Sequence, residues 1–172
     1  MIALTNKATI EQLFEEKINK LNLELPKLYD EGRIASQNCA ALTIKGVLEI
    51  LNAEDLNLIN MAAPLAGITD ICGAVNAGLM LIGLILGKKG KKEVHQVTAS
   101  TEGVKFLKHF KKRFGTIHCS ELTGYNLLTR EGLENYMKDN IWEKKCYKHV
   151  IAAIELIGSL YPIQIGKLIE QK

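Results

Sequence analysis

Four cysteines carry most of the chemistry this sequence could perform: Cys39, Cys72, Cys119 and Cys146. They stand far apart, and no CxxC pair occurs. Thioredoxin-type and zinc-ribbon patterns are therefore absent, and without CxxCH there is no attachment site for a c-type haem. If the four act together, the fold has to assemble them. The first 17 residues, Met1 to Lys17, have neither an apolar run nor a small-residue cleavage site. No signal peptide is expected, and the default location is a reducing cytoplasm, where structural disulfides rarely persist. Four cysteines in that setting are either small buried hydrophobes or a working thiol site.

Each cysteine is expected at or near the start of a helix. Ser36 is a candidate cap for a helix bearing Cys39, and Thr69 or Asp70 for one bearing Cys72 in its first turn. Cys119 follows a glycine-containing loop and opens Ser120-Glu121-Leu122. Cys146 heads a stripe through Val150, Ala153 and Ile157, which turns its sulfur toward the core. Helix N-termini carry free N–H donors and partial positive charge, so thiolates there should be stabilised and their pKa lowered. Two chemistries suit that arrangement: an iron–sulfur cluster held by four thiolates, and a dithiol–disulfide couple. A third reading is a zinc-stabilised interaction module, since zinc also accepts four thiolates.

The elements that must position these residues are helical. The chain has 172 residues, 47% apolar and 24% charged, with a net charge of +3 and only three prolines. That describes one ordinary globular domain with no compositional case for nucleic acid. Alanine, leucine, lysine and glutamate are plentiful and aromatics sparse, which favours helices over strands. Thr9 to Gln12 reads as a capping box, followed by a face of Ile10, Leu13, Phe14, Ile18 and Leu21 and closed by Pro26. A second helix is predicted from about Ile34 to Leu51, with Ala40, Ile44, Val47, Leu48 and Leu51 inward. A short piece follows over Glu54 to Met61.

The third helix, Ile71 to Gly87, has no charged residue. A helix apolar on every side lies centrally in a bundle or in a membrane, and at 17 residues this one sits at the short edge of the spanning range. Gly73, Gly78, Gly83 and Gly87 are spaced for close helix contact. The bundle reading is preferred. A fourth helix is predicted over Thr101 to Phe114, with Val104, Leu107, Phe110 and Phe114 inward and Lys105, Lys108, His109 and Lys112 in solvent. Thr129 caps a short helix to about Lys138, and the last long helix runs from Trp142 to Leu160, where Tyr161-Pro162 breaks it. The expected fold is an all-α, multi-helix bundle around the apolar helix at about 71–87. It is read as one domain over 1–172, with a core over 26–160 and an N-terminal helical extension over 1–25.

The cysteine segments resemble a known family, the redox-active proteins named for four cysteines and a Cys-Gly-Ala-x-x-Gly motif. The matching pieces are Asn38-Cys39-Ala40 after Glu31-Gly32, then Thr69 to Gly78 with Cys72-Gly73-Ala74. Phe114 to Tyr125 follows with Cys119, and then Cys146 before a helix rich in alanine and isoleucine. The resemblance runs from about Leu28 to Leu160. Ala77 replaces the motif's final glycine, with Gly78 one place later. A similar domain occurs in the split-Soret cytochromes beside haem-binding segments. The resemblance implies electron transfer. It makes a sulfur-ligated iron centre plausible, most simply a 2Fe–2S cluster, with Cys39, Cys72, Cys119 and Cys146 as ligands and Gly73 and Ala74 beside it. In a metal-free dithiol protein the same cysteines would be the catalytic residues.

Other candidates weigh less. His118 precedes Cys119 and reads either as a surface histidine or as a proton partner of that thiol. His95, His109 and His149 show no ligand spacing. The run Lys88 to Lys92 lacks the phosphate-binding loop pattern, and no serine triad or carboxylate pair is legible. Expected partners are a redox protein and, through the glycine-lined helix, a second copy of the chain. Neither nucleic acid nor a membrane is expected.

Overall fold

A computed structural model describes residues 7–30, 38–53, 55–87 and 92–170, with the side chains of 25–30 and 92–95 excepted. Nine α-helices and no strand occur among the described residues: α1 (Lys7–Asp30), α2 (Cys39–Ile50), α3 (Leu56–Ala62), α4 (Gly73–Leu86), α5 (Lys92–Phe114), α6 (Cys119–Thr123), α7 (Arg130–Lys138), α8 (Tyr147–Leu160) and α9 (Pro162–Glu170). A 3₁₀ turn, Ala63–Leu65, follows α3, and a π-helical turn, Trp142–Cys146, leads into α8. The fold is an all-α bundle, as its composition predicts.

The apolar α4 packs against α2, α5, α8 and α9. Its buried residues include Ala74, Val75, Ala77, Leu81, Ile82 and Ile85, which meet Ile44, Val47, Phe106, Phe110, Ile154 and Ile157 in one core. Small residues set how closely the helices approach. A Cβ at Gly78 would collide with the Phe106 ring of α5, one at Gly46 would come within 2.7 Å of Ile154 Cδ1, and one at Gly158 within 2.5 Å of the Phe14 ring. Of the four evenly spaced glycines, Gly73 and Gly78 serve contacts with other elements. Gly83 meets nothing within 4 Å, and Gly87 faces only the backbone of its own helix. On α1, Ile10, Phe14 and Leu21 are buried, and the stem of Lys17 lies with them while its ammonium pairs with Glu49 of α2.

Several expected boundaries move. α1 begins by Lys7, so Thr9 lies inside it and is no cap. The helix also continues through Pro26 to Asp30, giving up the one hydrogen bond that proline cannot donate. The predicted start of the second helix at Ile34 and its cap Ser36 fall outside the described residues; α2 begins at Cys39 with Asn38 as its N-cap. Glu54 also lies outside them, and Asp55 caps α3. The fourth helix begins by Lys92 rather than at Thr101. Its inward phase is also different: Val104 is exposed and Phe106 is fully buried, because Phe106 rather than Val104 faces the gap left by Gly78. Lys105, Lys108, His109 and Lys112 are exposed as expected. The run Lys88 to Lys91 lies outside the described residues.

Thr129 caps α7, its hydroxyl accepting from Gly132 N at 3.1 Å. Pro162 ends α8 and also begins α9 at a bend of 82°, since proline suits the first position of a helix. That last helix was not expected; Ile165 is its buried anchor. No single described helix is long and apolar enough to cross a membrane.

The helix contacts predict opposite outcomes for two alanine substitutions. Gly78→Ala should lower stability by about 1–3 kcal/mol through overpacking against Phe106. Gly83→Ala should be neutral or stabilising by up to about 1 kcal/mol, since open space and a helical backbone both favour alanine. Urea denaturation should show these as shifts in midpoint at unchanged slope.

Candidate functional site: four thiols at one end of the bundle

The site is assembled by a short antiparallel bridge between the segments before α4 and α6. Cys72 N donates to Ile117 O at 2.9 Å and Cys119 N to Asp70 O at 2.5 Å, pairing Ile71 with His118. Two cysteines distant in sequence thereby stand side by side, each at the mouth of a helix. Asn76, one turn into α4, holds this segment from inside: its Nδ2 donates to Thr69 Oγ1 at 3.0 Å and reaches Leu65 O at 3.3 Å. Neither Thr69 nor Asp70 caps α4. Thr69 donates to Ile71 O, and Asp70 turns outward to His118 Nδ1 at 2.6 Å and accepts from Ser120 Oγ at 3.2 Å. Cys72 itself is the N-cap residue.

Cys39 enters from α2. Asn38 Oδ1 accepts from Ala41 N at 3.0 Å, while its Nδ2 donates to Ala63 O at 2.8 Å, so one side chain both caps α2 and ties it to the 3₁₀ turn. A Cβ at Gly73 would lie 2.6 Å from Cys39 Sγ and 3.0 Å from Ala66 Cα. Glycine at 73 is thus what lets the Cys39 thiol reach the first turn of α4. Ala74 beside it is fully buried.

Two positive-φ glycines frame the third cysteine. Gly115 (φ 81°) turns the chain out of α5, and Gly124 (φ 87°) closes the five-residue α6. Lys145 Nζ then donates to Thr123 O at 2.8 Å, joining α6 to the π turn. That turn presents Cys146, buried as expected, with Val150, Ala153 and Ile157 buried below it. A π turn inserts one extra residue and re-aims the side chains around it. On the far side Tyr136 of α7 places its hydroxyl 3.3 Å from Cys146 Sγ.

The four sulfurs therefore share one neighbourhood. Burial, and then the charges that Cys72, Cys146 and Cys119 would carry, push the Cys39 thiol well above its ordinary value. Burial pushes Cys119 up to about 11, with Cys72 and Asp70 adding to the rise. It pushes Cys146 up to about 12, against the hydrogen bond from Tyr136. Cys72 also rises through burial, although the N–H groups of Val75 and Ala74 pull the other way. This reverses the lowered thiol pKa expected from helix N-termini. Loss of water around the sulfur outweighs the partial charge of the helix end, and four like charges in one place repel. Left to themselves the thiols are protonated, and no disulfide joins them.

The donor set is all sulfur, which suits soft iron or zinc rather than magnesium or calcium. Among the described residues no three His, Cys, Asp or Glu side chains are grouped about a point where a single metal ion would sit. A cluster several atoms across holds its ligands farther apart than one ion does. Four thiols from one chain match the ligand set of such a cluster. Cys119 is the thiol with an outlet: it lines a cleft of about 200 Å³ with Asp70, Ser120, Tyr125 and Leu128. His118, beside it, is engaged with Asp70 rather than with the sulfur. His149 is a core residue instead, edge-on to Phe114 at 4.8 Å and kept neutral by burial.

Bundle and site together define a helical protein with four cysteine thiols gathered at one end, Cys72 and Cys146 buried and Cys39 and Cys119 half-buried. The chain belongs to the family described as "Putative redox-active protein (C_GCAxxG_C_C)", whose model matches residues 37–160. The match begins nine residues later than the segment at Leu28 where the resemblance was placed. A redox role thus attaches to this chain through its family. No curated protein and no solved structure matches it.

Sequence reasoning did not find Tyr136, Asn38 or Asn76. Asn38 carried a local signal, an asparagine directly before an apolar helical stripe. Tyr136 carried none, because its role depends on α7 folding back over Cys146.

The raised thiol pKa values fix a pH dependence. An unfolded thiol ionises near 9.0, whereas folded Cys119 and Cys146 hold their protons to about 11 and about 12. Their folded values are the higher ones, so the stability they contribute is complete below pH 9 and is lost as pH rises toward 12. In metal-free reduced protein the urea midpoint should fall across that window. Cys146→Ala should remove part of the slope.

Proposed function

We propose that this protein is an electron carrier in which Cys39, Cys72, Cys119 and Cys146 together hold an iron–sulfur cluster, with 2Fe–2S the simplest composition. The observation that carries this reading is the convergence of all four thiols at one end of the bundle, Cys72 and Cys146 buried and Cys39 and Cys119 half-buried, around a glycine that makes room for the Cys39 sulfur. Burial raises the thiol pKa values, which argues against thiol–disulfide exchange, a chemistry that needs an accessible thiolate. Iron supplies the missing charge compensation: binding would displace the protons and leave four thiolates neutralised by metal. The cluster would supply a one-electron couple. The protein would exclude water from the Cys72 and Cys146 corners and leave the Cys119 corner near the cleft, where a partner could approach. Its partner is proposed to be another redox protein. The family's redox description supports this role at the coarser level.

Anaerobic purification, with analysis of iron and acid-labile sulfide and a visible spectrum, tests the proposal. Matched iron and sulfide with a band bleached by dithionite are expected. Cys39→Ala and Cys146→Ala should each cost most of the bound iron. A colourless, metal-free, folded protein that also takes up no iron and sulfide on reconstitution would overturn the cluster and leave the dithiol reading. Stoichiometric zinc without colour would instead make the chain an interaction module.

A further inference from the structure

Tyr136 is the one hydroxyl placed against a cysteine sulfur among the described hydrogen bonds, and the chain holds it there firmly. Thr129 caps the start of α7. Gly132 sits so close to Asn126 O that a Cβ would not fit. At the other end Tyr125 donates its hydroxyl to Asp139, the residue that closes α7. Between these clamps α7 turns Leu133 and Met137 to solvent and Tyr136 inward. The Tyr136 hydroxyl lies 3.3 Å from Cys146 Sγ. Its surroundings include Cys39 and Cys119 as well, and burial, followed by the charge Cys146 would carry, holds the phenol protonated far above its ordinary range.

We propose that Tyr136 is a positioning residue that sets the reduction potential of the four-cysteine centre by donating a hydrogen bond to the Cys146 sulfur. The inference rests on the reading of that centre as a one-electron site. A ligating sulfur has lost its proton, so the phenol O–H is the donor in the pair. Reduction brings one electron from a one-electron donor onto the centre, and no bond to Tyr136 is made or broken. The added negative charge is shared by the ligating sulfurs. A donor at sulfur therefore stabilises the reduced form more than the oxidised form and moves the potential positive.

The test compares full-length wild type with Tyr136→Phe, both loaded anaerobically with iron and sulfide and titrated with dithionite while the visible band is followed. Losing one such hydrogen bond should shift the one-electron equilibrium about tenfold toward the oxidised form, about 59 mV more negative. Tyr125→Phe removes a hydroxyl from the α7 clamp without touching a sulfur and should shift the potential far less. If Tyr136→Phe does not load, 3-fluorotyrosine at 136 gives a stronger donor and should move the potential positive. A second readout needs no metal: in reduced apo-protein at fixed alkaline pH, alkylation of Cys146 followed by mass spectrometry should slow severalfold in Tyr136→Phe, with Cys72 unchanged. An unchanged potential in a loaded variant overturns the role of Tyr136. A wild type with no one-electron couple overturns the cluster reading instead, and the Cys146 alkylation rate then decides for or against Tyr136.

Discussion

Two backbone hydrogen bonds organise the working end of this protein. Cys72 N to Ile117 O and Cys119 N to Asp70 O form a bridge of the kind that usually opens a sheet, here used once inside a helical bundle. It joins the entrance of the most apolar helix to the exit of the α5 segment, so the packing of α4 against α5 and the pairing of two cysteines are one event. The other pieces are hung on it. Asn76 braces the strand-like segment from inside α4. Gly73 admits Cys39 from α2, and Lys145 draws α6 against the π turn that carries Cys146. Cys72 and Cys146 also belong to the same buried core as Ile44, Phe106 and Ile154, so the thiol end and the bundle packing are continuous.

The site is built under a conflict between burial and charge. Helix ends bring N–H groups to the sulfurs, but burial opposes ionisation, and a Cys39 thiolate would face the charges of the other three. Desolvation dominates for every cysteine in the set. A protein that wanted reactive thiols would leave them nearer to water. In the proposed cluster, the metal's charge in place of the four protons would relieve that repulsion. The graded burial has a direction too. Cys72 and Cys146 are enclosed, whereas Cys119 opens onto the cleft beside Asp70 and Ser120.

Much of the scaffold was legible in the residues. The all-helical class, the stripe Val150–Ala153–Ile157 and the Thr129 cap each follow from local pattern, and each is where the pattern places it. The errors have a common cause. Thr69 and Asp70 look like caps, but each has a better partner across the chain, Thr69 in its own segment under Asn76 and Asp70 in His118. Val104 fits an inward stripe, but the space left by Gly78 selects Phe106, two residues on and on the opposite side of the helix. Pro26 reads as a stop, yet α1 runs on, since one missing hydrogen bond is a small loss in so long a helix. Pro162 does stop one helix, and its fixed φ begins another.

What the sequence by itself determined is therefore what is set within a few turns of chain: helical periodicity, four cysteines at or near helix starts, and family motifs sufficient to place the chain among redox-active proteins. What only the tertiary structure decided is which groups meet. The bridge between residues 70–72 and 117–119, the reach of Cys39 over Gly73, and the hydroxyl of Tyr136 at Cys146 all join positions whose spacing carries no period. The sign of the thiol pKa shifts belongs to the same class. A helix end can be read locally, but the depth of a sulfur below the surface is a sum over every element packed around it, and that sum exists only once the chain has folded.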